Sequence, residues 1–370
     1  MGRVLYITTY PIKEIGDGIS NKIKSQVRAM ELIGHDVDWI FRTDAGIAYK
    51  ISGVNSEIGI NGRWKYLFFM KSAKLVEGYG GSYDYIYIRN PHGGLYSLFL
   101  SVFLKRIRKI NSVVVLEIPH YPYEDEGKSF MDKVANAAHK ISRRFFLRYI
   151  DKIVYMGPVQ HNIWGRTAVR IVNSVDLAMN RPVNKSKGRG GGNISFVGVA
   201  ALAYWHGYDR LIMGINDYVK NKENEVKVDF HIVGDGEPEL SYLRDLVSKY
   251  QLEDYVVFYG RKTGDELDEI YDEMDIGVDS LGRHRSGNNY NCSIKSKEYA
   301  SRNLPFIKSH LDDSFNDVNF VYNVSADDEA TKLDDIINWY ESLDVSETEI
   351  RSYAVEFFSM EKQIRKSLCK

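Results

Sequence analysis

The densest polar chemistry in the chain lies between Arg283 and Glu298, RHRSGNNYNCSIKSKE. Lys295 and Glu298 stand three residues apart, the spacing that puts two side chains on one face of a helix. A helix starting near Ser293 would aim the N–H groups of Ser293, Ile294 and Lys295 outward with the positive end of its dipole. That is an anion site, suited to phosphate. Lys295 adds a full charge, and the Glu298 carboxylate one turn on can accept two hydroxyl hydrogen bonds from a ribose. Spacing alone describes equally well a surface Lys295–Glu298 pair with no ligand, worth a few tenths of a kcal/mol.

The stretch follows MDIGVDSLG, an apolar run ending in a turn, and leads into EYASRNLPFI, a short helix, a break and another apolar run. Around it ISFVGV, VDFHIVGDG, YVVFYG and NFVYNV read as strands, and GYDRLIMGINDYV, ELSYLRDLVSKYQ and DELDEIYDEM as helices. The strands end in Gly198, Gly234-Asp235-Gly236, Gly260 and Ser280 to Gly282, where glycine lets backbone N–H groups approach a ligand. Singly, each such glycine describes a tight turn as well.

The first half repeats the alternation. RVLYITTY, HDVDWIF, YDYIYIRN, SVVVLEIP, DKIVYMG and VRIVNSV read as strands. ISNKIKSQVRAMELIG carries Ile19, Ile23, Val27, Met30 and Ile33 at helical spacing and closes on Gly34. GGLYSLFLSVFLKRIRKI is a further helix. Continuous apolar strands alternating with helices predict a doubly wound parallel sheet in each half, an α/β protein. RPVNKSKGRGGGN, residues 181–193, reads as a linker between a domain over 1–180 and a domain over 194–353. Two such domains predict a cleft between them, with ligands bound at the carboxyl ends of strands.

Composition fits a soluble globular protein of two domains: 370 residues, 27% charged and 44% hydrophobic. No run of eighteen apolar residues occurs, and the opening MGRVLYITTYP reads as a core strand rather than a signal peptide. Two cysteines, Cys292 and Cys369, are too few for a disulfide or zinc framework, which leads to an expectation of a reducing cytoplasm. The net charge of −1 divides unevenly. Residues 1–180 hold 25 Lys and Arg against 16 Asp and Glu, and the remainder 24 against 34. A basic first half suits an anionic partner, either a phosphate-bearing ligand or a membrane surface. LYSLFLSVFLKRIRKI and HKISRRFFLRYI, which bear Lys105, Arg106, Arg108, Lys109, Lys140, Arg143, Arg144 and Arg148, read as basic amphipathic helices. Docking on an anionic bilayer and packing on the sheet with a solvated basic face fit them equally.

From Phe196 to Ile307 the chain resembles the nucleotide-binding domain of glycosyltransferase family 4. FVGVAALAYWHGYDRLI is similar to the family's strand, glycine, loop and K-G-apolar-D-x-L-I. FHIVGDGEPELSYLRDLV, YVVFYGRKTGDELDEIYDEMDIGVDSL and SIKSKEYASRNLPFI match its later motifs in order. DGISNKIKSQVRAMELIGHDV and IVNSVD resemble first-domain motifs more loosely. YAVEFFSMEKQI resembles the segment where the last helix, about 354–370, crosses back to the first domain. The resemblance thus covers nearly the whole chain. It implies the GT-B fold, two Rossmann-like domains facing a central cleft, and retaining transfer of a sugar from a UDP- or GDP-type donor without a required metal or cofactor.

Position by position, the resemblance implies that Glu298 holds the ribose and that the backbone of Ser293, Ile294 and Lys295 holds the diphosphate. Gly198 and Gly234 line the donor site, and Gly260 and Arg261 lie near the base. His120, in LEIPHYPYEDE, matches a first-domain histidine near donor sugar and acceptor; without the resemblance it reads as a satisfied strand-end histidine. Gly18, Ile19 and Asn21 belong to a first-domain loop facing the phosphates. Three departures stand out. Tyr290 occupies the place of a glutamate separated from Glu298 by seven residues, which leaves Asn288 and Asn289 as candidate sugar contacts. Val199 and His206 stand where the family often has Arg and Lys. Lys295, with Arg283 and Arg285, is the candidate replacement for that charge. Glu117 is not clearly placed as a nucleophile.

The expected activity is transfer to a glycan or lipid-linked acceptor in bacterial capsular or exopolysaccharide biosynthesis, in the cytoplasm or at the inner face of the plasma membrane. No nucleic-acid partner is expected. Another sugar-nucleotide enzyme of this fold (an epimerase or a phosphorylase) and a non-catalytic sugar-nucleotide binder stand as alternatives.

Overall fold

The computed structural model describes residues 2–13, 18–59, 66–91, 96–109, 111–122, 130–184, 192–221, 226–287 and 289–369. The chain divides into two compact units, one of Met1–Val172 with Met360–Lys370 and one of Asn173–Ser359.

The first unit contains β1 (Arg3–Pro11), α1 (Gly18–Leu32), β2 (Asp36–Arg42), β3 (Gly46–Ile51), β4 (Val54–Gly59), α2 (Phe68–Gly78), β5 (Tyr85–Arg89), α3 (Leu100–Ile107), β6 (Val113–Ile118), α4 (Phe130–Phe146), β7 (Lys152–Tyr155), β8 (Asn162–Ile163) and β9 (Arg166–Arg170). The strand order is β4-β3-β2-β1-β5-β6-β7-β9-β8, parallel from β2 to β9. Strand alternation sends side chains to two separate cores. Leu5, Ile7, Ile86, Ile88, Val114 and Leu116 pack with Phe68, Phe69, Phe103 and Phe146 of α2, α3 and α4. Val4, Tyr6, Tyr87, Val115 and Val154 pack with Ile23, Val27 and Met30 of α1 and with Met360, Ile364 and Leu368.

The second unit contains β10 (Asn193–Val199), α5 (Tyr208–Lys220), β11 (Lys227–Val233), α6 (Glu239–Tyr250), β12 (Val256–Gly260), α7 (Asp265–Asp272), β13 (Ile276–Val278), α8 (Ile294–Ser301), β14 (Phe306–Lys308), β15 (Val321–Asn323), α9 (Leu333–Glu341) and α10 (Glu347–Phe358); α11 (Met360–Leu368) then returns to the first unit. Its six strands run parallel in the order β12-β11-β10-β13-β14-β15. Ile194, Phe196, Phe230, Ile232, Ile276 and Val278 form one core with α5, α6 and α9. On the α8 side, Tyr299 lies over Gly277, where an added Cβ would fall 2.6 Å from the ring, and its hydroxyl donates to Val278 O at 3.0 Å.

Two boundaries differ from the sequence reading. The division falls at Asn173 rather than in the glycine-rich stretch, because residues 173–184 are bonded to the second unit. Arg181 grips Asp272 at 2.8 and 2.6 Å, and Val183 N–H donates to Arg302 O at 2.9 Å. Residues 354–358 likewise finish α10 in the second unit, and the returning helix starts at Met360. Its apolar residues Met360, Ile364 and Leu368 recur every fourth position and dock on the first sheet.

Candidate functional site

The carboxyl ends of β10, β13 and β14 bring three loops together in the second unit. Leu281 N–H donates to His206 O at 2.7 Å, and Ser309 N–H to Ser280 O at 3.1 Å. Gly207, at φ 64°, lets the first two loops touch, since a Cβ there would sit 2.4 Å from Gly282 N. At their junction lies Asp279, fully buried just beyond β13. Its carboxylate accepts Ser280 N–H at 2.7 Å and the Ser296 hydroxyl. Burial alone would raise this carboxyl. Lys295, His310 and the Ser296 and Ser293 hydroxyls overcome that and hold it well below the usual carboxylate range.

Lys295 leans over this carboxylate. Its Nζ lies 3.4 Å from Asp279 Oδ1, is closed off from solvent and has no well-formed hydrogen bond, although the side chain as a whole is 18% exposed. The stem is open and the ammonium is turned inward. Burial pulls the Lys295 pKa below the ordinary lysine value, and Asp279 is the chief charge opposing the fall. Arg283 stands in the 3₁₀ turn Arg283–Ser286, and its buried Nε also lacks an acceptor. His206 Nδ1 accepts Ala203 N–H at 3.1 Å, so the ring proton sits on Nε2. Burial, then the nearby Lys295 charge, push His206 down to about 2, which leaves a neutral imidazole rather than a substitute cation. Glu298 lies one turn along α8. Burial raises its pKa against the pull of Arg302 and Lys295, and no described side chain hydrogen-bonds its carboxylate. The structure therefore gathers Lys295, Glu298, Arg283, His206 and Ser293 at one helix start.

Other expectations are corrected. Ser293 N–H donates to Asn291 O at 3.0 Å, so it is not available to an anion, and the α8 N-terminus has no side-chain cap. The open donors are those of Ile294 and Lys295 in the first turn. Arg285 is already spent. It holds Asp209 with two bonds of 2.8 and 2.9 Å and Asp328 with one of 2.7 Å, clasping its loop to the start of α5. Gly198 and Gly234 serve close packing, because a Cβ would fall 2.6 Å from the Tyr208 ring and 1.8 Å from Ala200 O respectively. Gly260 has φ 65° and open space around it, and Arg261 beside it is exposed. The Tyr290 hydroxyl donates to Asp313 at 3.1 Å. Asn289 O accepts Leu311 N–H at 2.7 Å, while Asn288 lies outside the described residues.

In the first unit His120 sits half-buried just past β6. Gly18, Ile19 and Asn21 form the exposed first turn of α1, not a loop, because the helical spacing that docks Ile23, Val27 and Met30 extends back through them. Glu117 is fully buried. Arg89 donates to one of its oxygens at 2.9 Å and Gln26 to the other at 3.0 Å, so it is no free nucleophile. Asp279, His310 and Ser296 escaped the sequence reading. The available signal was an aspartate closing an otherwise apolar strand, DIGVDS.

Residues 191–341 match the family model described as glycosyl transferases group 1. No curated protein matches the chain significantly. Among solved structures, a glycosyltransferase from Rickettsia africae is 14% identical with a TM-score of 0.69, over 99% of this chain and 97% of that one. Sucrose-phosphate synthase from Thermosynechococcus elongatus is 14% identical with a TM-score of 0.66, over 98% and 96%. The Anabaena protein HepE, solved in complex with UDP, is 12% identical with a TM-score of 0.62, over 98% and 97%. At these identities the likeness is one of fold: two Rossmann-like parallel-sheet units, as in GT-B proteins.

Proposed function

We propose that this chain, a group 1 glycosyltransferase by the match of its second unit, is a retaining enzyme that moves a sugar from a UDP- or GDP-type donor to a glycan or lipid-linked acceptor. One observation carries the reading: the uncapped start of α8 has beside it the Lys295 ammonium, near Asp279 but without a hydrogen bond, with the Glu298 carboxylate one turn on. The reaction breaks the bond between the anomeric carbon and the β-phosphate oxygen. Negative charge grows on the departing diphosphate, and the first-turn N–H groups, Lys295 and Arg283 meet it there. Glu298 accepts the two ribose hydroxyls, and neutral His206 donates through Nε2–H. His120, on the first unit, attends the sugar and acceptor. With both Glu117 oxygens taken, retention proceeds without that residue as a covalent nucleophile. Turnover assays over UDP-, GDP- and TDP-sugars test the reading. Consumption of one donor, lost in Lys295→Ala, is expected; turnover unchanged in that variant contradicts it.

The finer proposal is polysaccharide assembly at the inner face of a bacterial plasma membrane. Its support is α4, which exposes Phe130 (78%), Val134, Ile141 and Phe145 along one face, with Lys133 and Arg144 exposed on the same helix and Arg148 in the turn after it. The helix after β5 contributes less, since Arg106 pairs with Glu77 and Arg108 with Asp151. Co-sedimentation with phosphatidylglycerol vesicles, weakened in Phe130→Ser/Phe145→Ser, is expected. Equal binding to neutral and anionic vesicles counts against it.

A further inference from the structure

We infer that Asp279 is a positioning residue of the transfer site, its buried carboxylate holding the Lys295 ammonium charged and aimed beside the start of α8. The inference rests on the reading of Lys295 as a donor-site cation and adds to it the residue that sustains the charge.

The geometry is specific. Asp279 is 0% exposed, and an isolated carboxylate at such depth costs several kcal/mol unless its oxygens are satisfied. Ser280 N–H at 2.7 Å and the Ser296 hydroxyl satisfy it locally. The Ser293 hydroxyl also contributes. Ser293 stands at the N-cap position of α8, yet makes no capping bond. The first-turn N–H groups of α8 therefore have no side-chain cap.

The second consequence concerns Lys295. An ammonium withdrawn from water drifts toward its neutral form, which has no attraction for a diphosphate. The charged and titratable groups facing it are Asp279 from the end of β13, Glu298 on α8, Arg283 from the 3₁₀ turn and His206 from the loop after β10. Arg283 opposes protonation and His206 is neutral. Glu298 assists from one turn away. His310, whose Nε2 is 3.7 Å from Asp279, is itself driven toward the neutral form by burial, so its pull on that carboxylate is secondary to that of Lys295. Asp279, 3.4 Å from Nζ, is the nearest negative charge. The contact is poorly aligned and leaves the ammonium's donors without a hydrogen bond.

Calorimetric titration of UDP, with GDP as a second probe, across about pH 7 to 10 tests this in the full chain. Lys295 loses its proton as pH rises, so affinity in the wild type falls only on the alkaline side. In Asp279→Asn the fall moves to lower pH, and binding near pH 9 weakens about ten-fold relative to wild type. In Asp279→Asn/Lys295→Arg the alkaline fall disappears, since a guanidinium does not titrate there. A purely structural role for Asp279 would lower affinity evenly at every pH. If Asp279→Asn does not fold, Asp279→Ser, with a hydroxyl and room for water, carries the same expectation. An alkaline limb left in place by the Asp279 variant, while Lys295→Ala abolishes binding, overturns this inference and spares the donor-site reading. Unchanged binding in Lys295→Ala overturns both.

Discussion

Each unit buries a carboxylate near the carboxyl end of a central strand, Glu117 at β6 and Asp279 just past β13, and both are fully screened from solvent. Their surroundings differ. Glu117 sits in a closed circuit: Arg89 and Gln26 take its two oxygens, and the Tyr6 hydroxyl completes Gln26 at 2.8 Å. Asp279 faces a lysine whose donors are largely unmet, beside an arginine nitrogen with no acceptor. Burial of a charge therefore does not mark a site; an incompletely matched charge does. The same contrast separates two basic residues of one loop region, since Arg285 is spent on Asp209 and Asp328 and Lys295 is not.

The sharpest way to break the comparison is Lys295→Ala. We expect turnover to fall about 100- to 1000-fold, the loss typical of removing one donor to a developing oxyanion, together with a lower melting temperature because the buried Asp279 loses its nearest cation. Glu117→Gln should do the reverse. It strands the buried Arg89 guanidinium, so urea unfolding should show a loss of about 3 kcal/mol with UDP affinity unchanged. Glu298→Gln should weaken UDP binding by about 2 kcal/mol through its ribose hydrogen bonds, read by calorimetry. Arg285→Ala is expected to cost about 2 kcal/mol of stability, with a larger effect on melting than on nucleotide affinity.

pH separates the two carboxylates of the site. Asp279 has a depressed folded-state pKa, so its contribution to stability is complete above the ordinary carboxylate range and is lost as pH falls through the folded value. Glu298 has a raised pKa, so donor binding should weaken on acidification before an ordinary carboxylate would protonate. Nucleotide affinity and acid unfolding followed on the same sample check both signs.

The alternation of elements, the helix start at Ser293 and the pair Lys295–Glu298 were legible because each is local, a matter of period or of spacing within one turn. The β3–β4 hairpin was not read, although Ser52 at φ 51° and Gly53 at φ 80° form a tight turn between alternating residues. KISGVNSEIG lacks the apolar run that identified the other strands. Arg285 was misjudged because its partners lie 76 and 43 residues away in sequence. Asp279 was passed over because a strand-end aspartate reads as a turn residue, and only the packed loops reveal that it is enclosed.

Titration of UDP and GDP into wild type and Lys295→Ala tests most directly that the start of α8 is the donor-phosphate site. A nucleotide that binds the wild type is expected to bind the variant at least about ten-fold more weakly, at a temperature where the variant's melting curve shows it still folded. Equal affinity in the two proteins would contradict it.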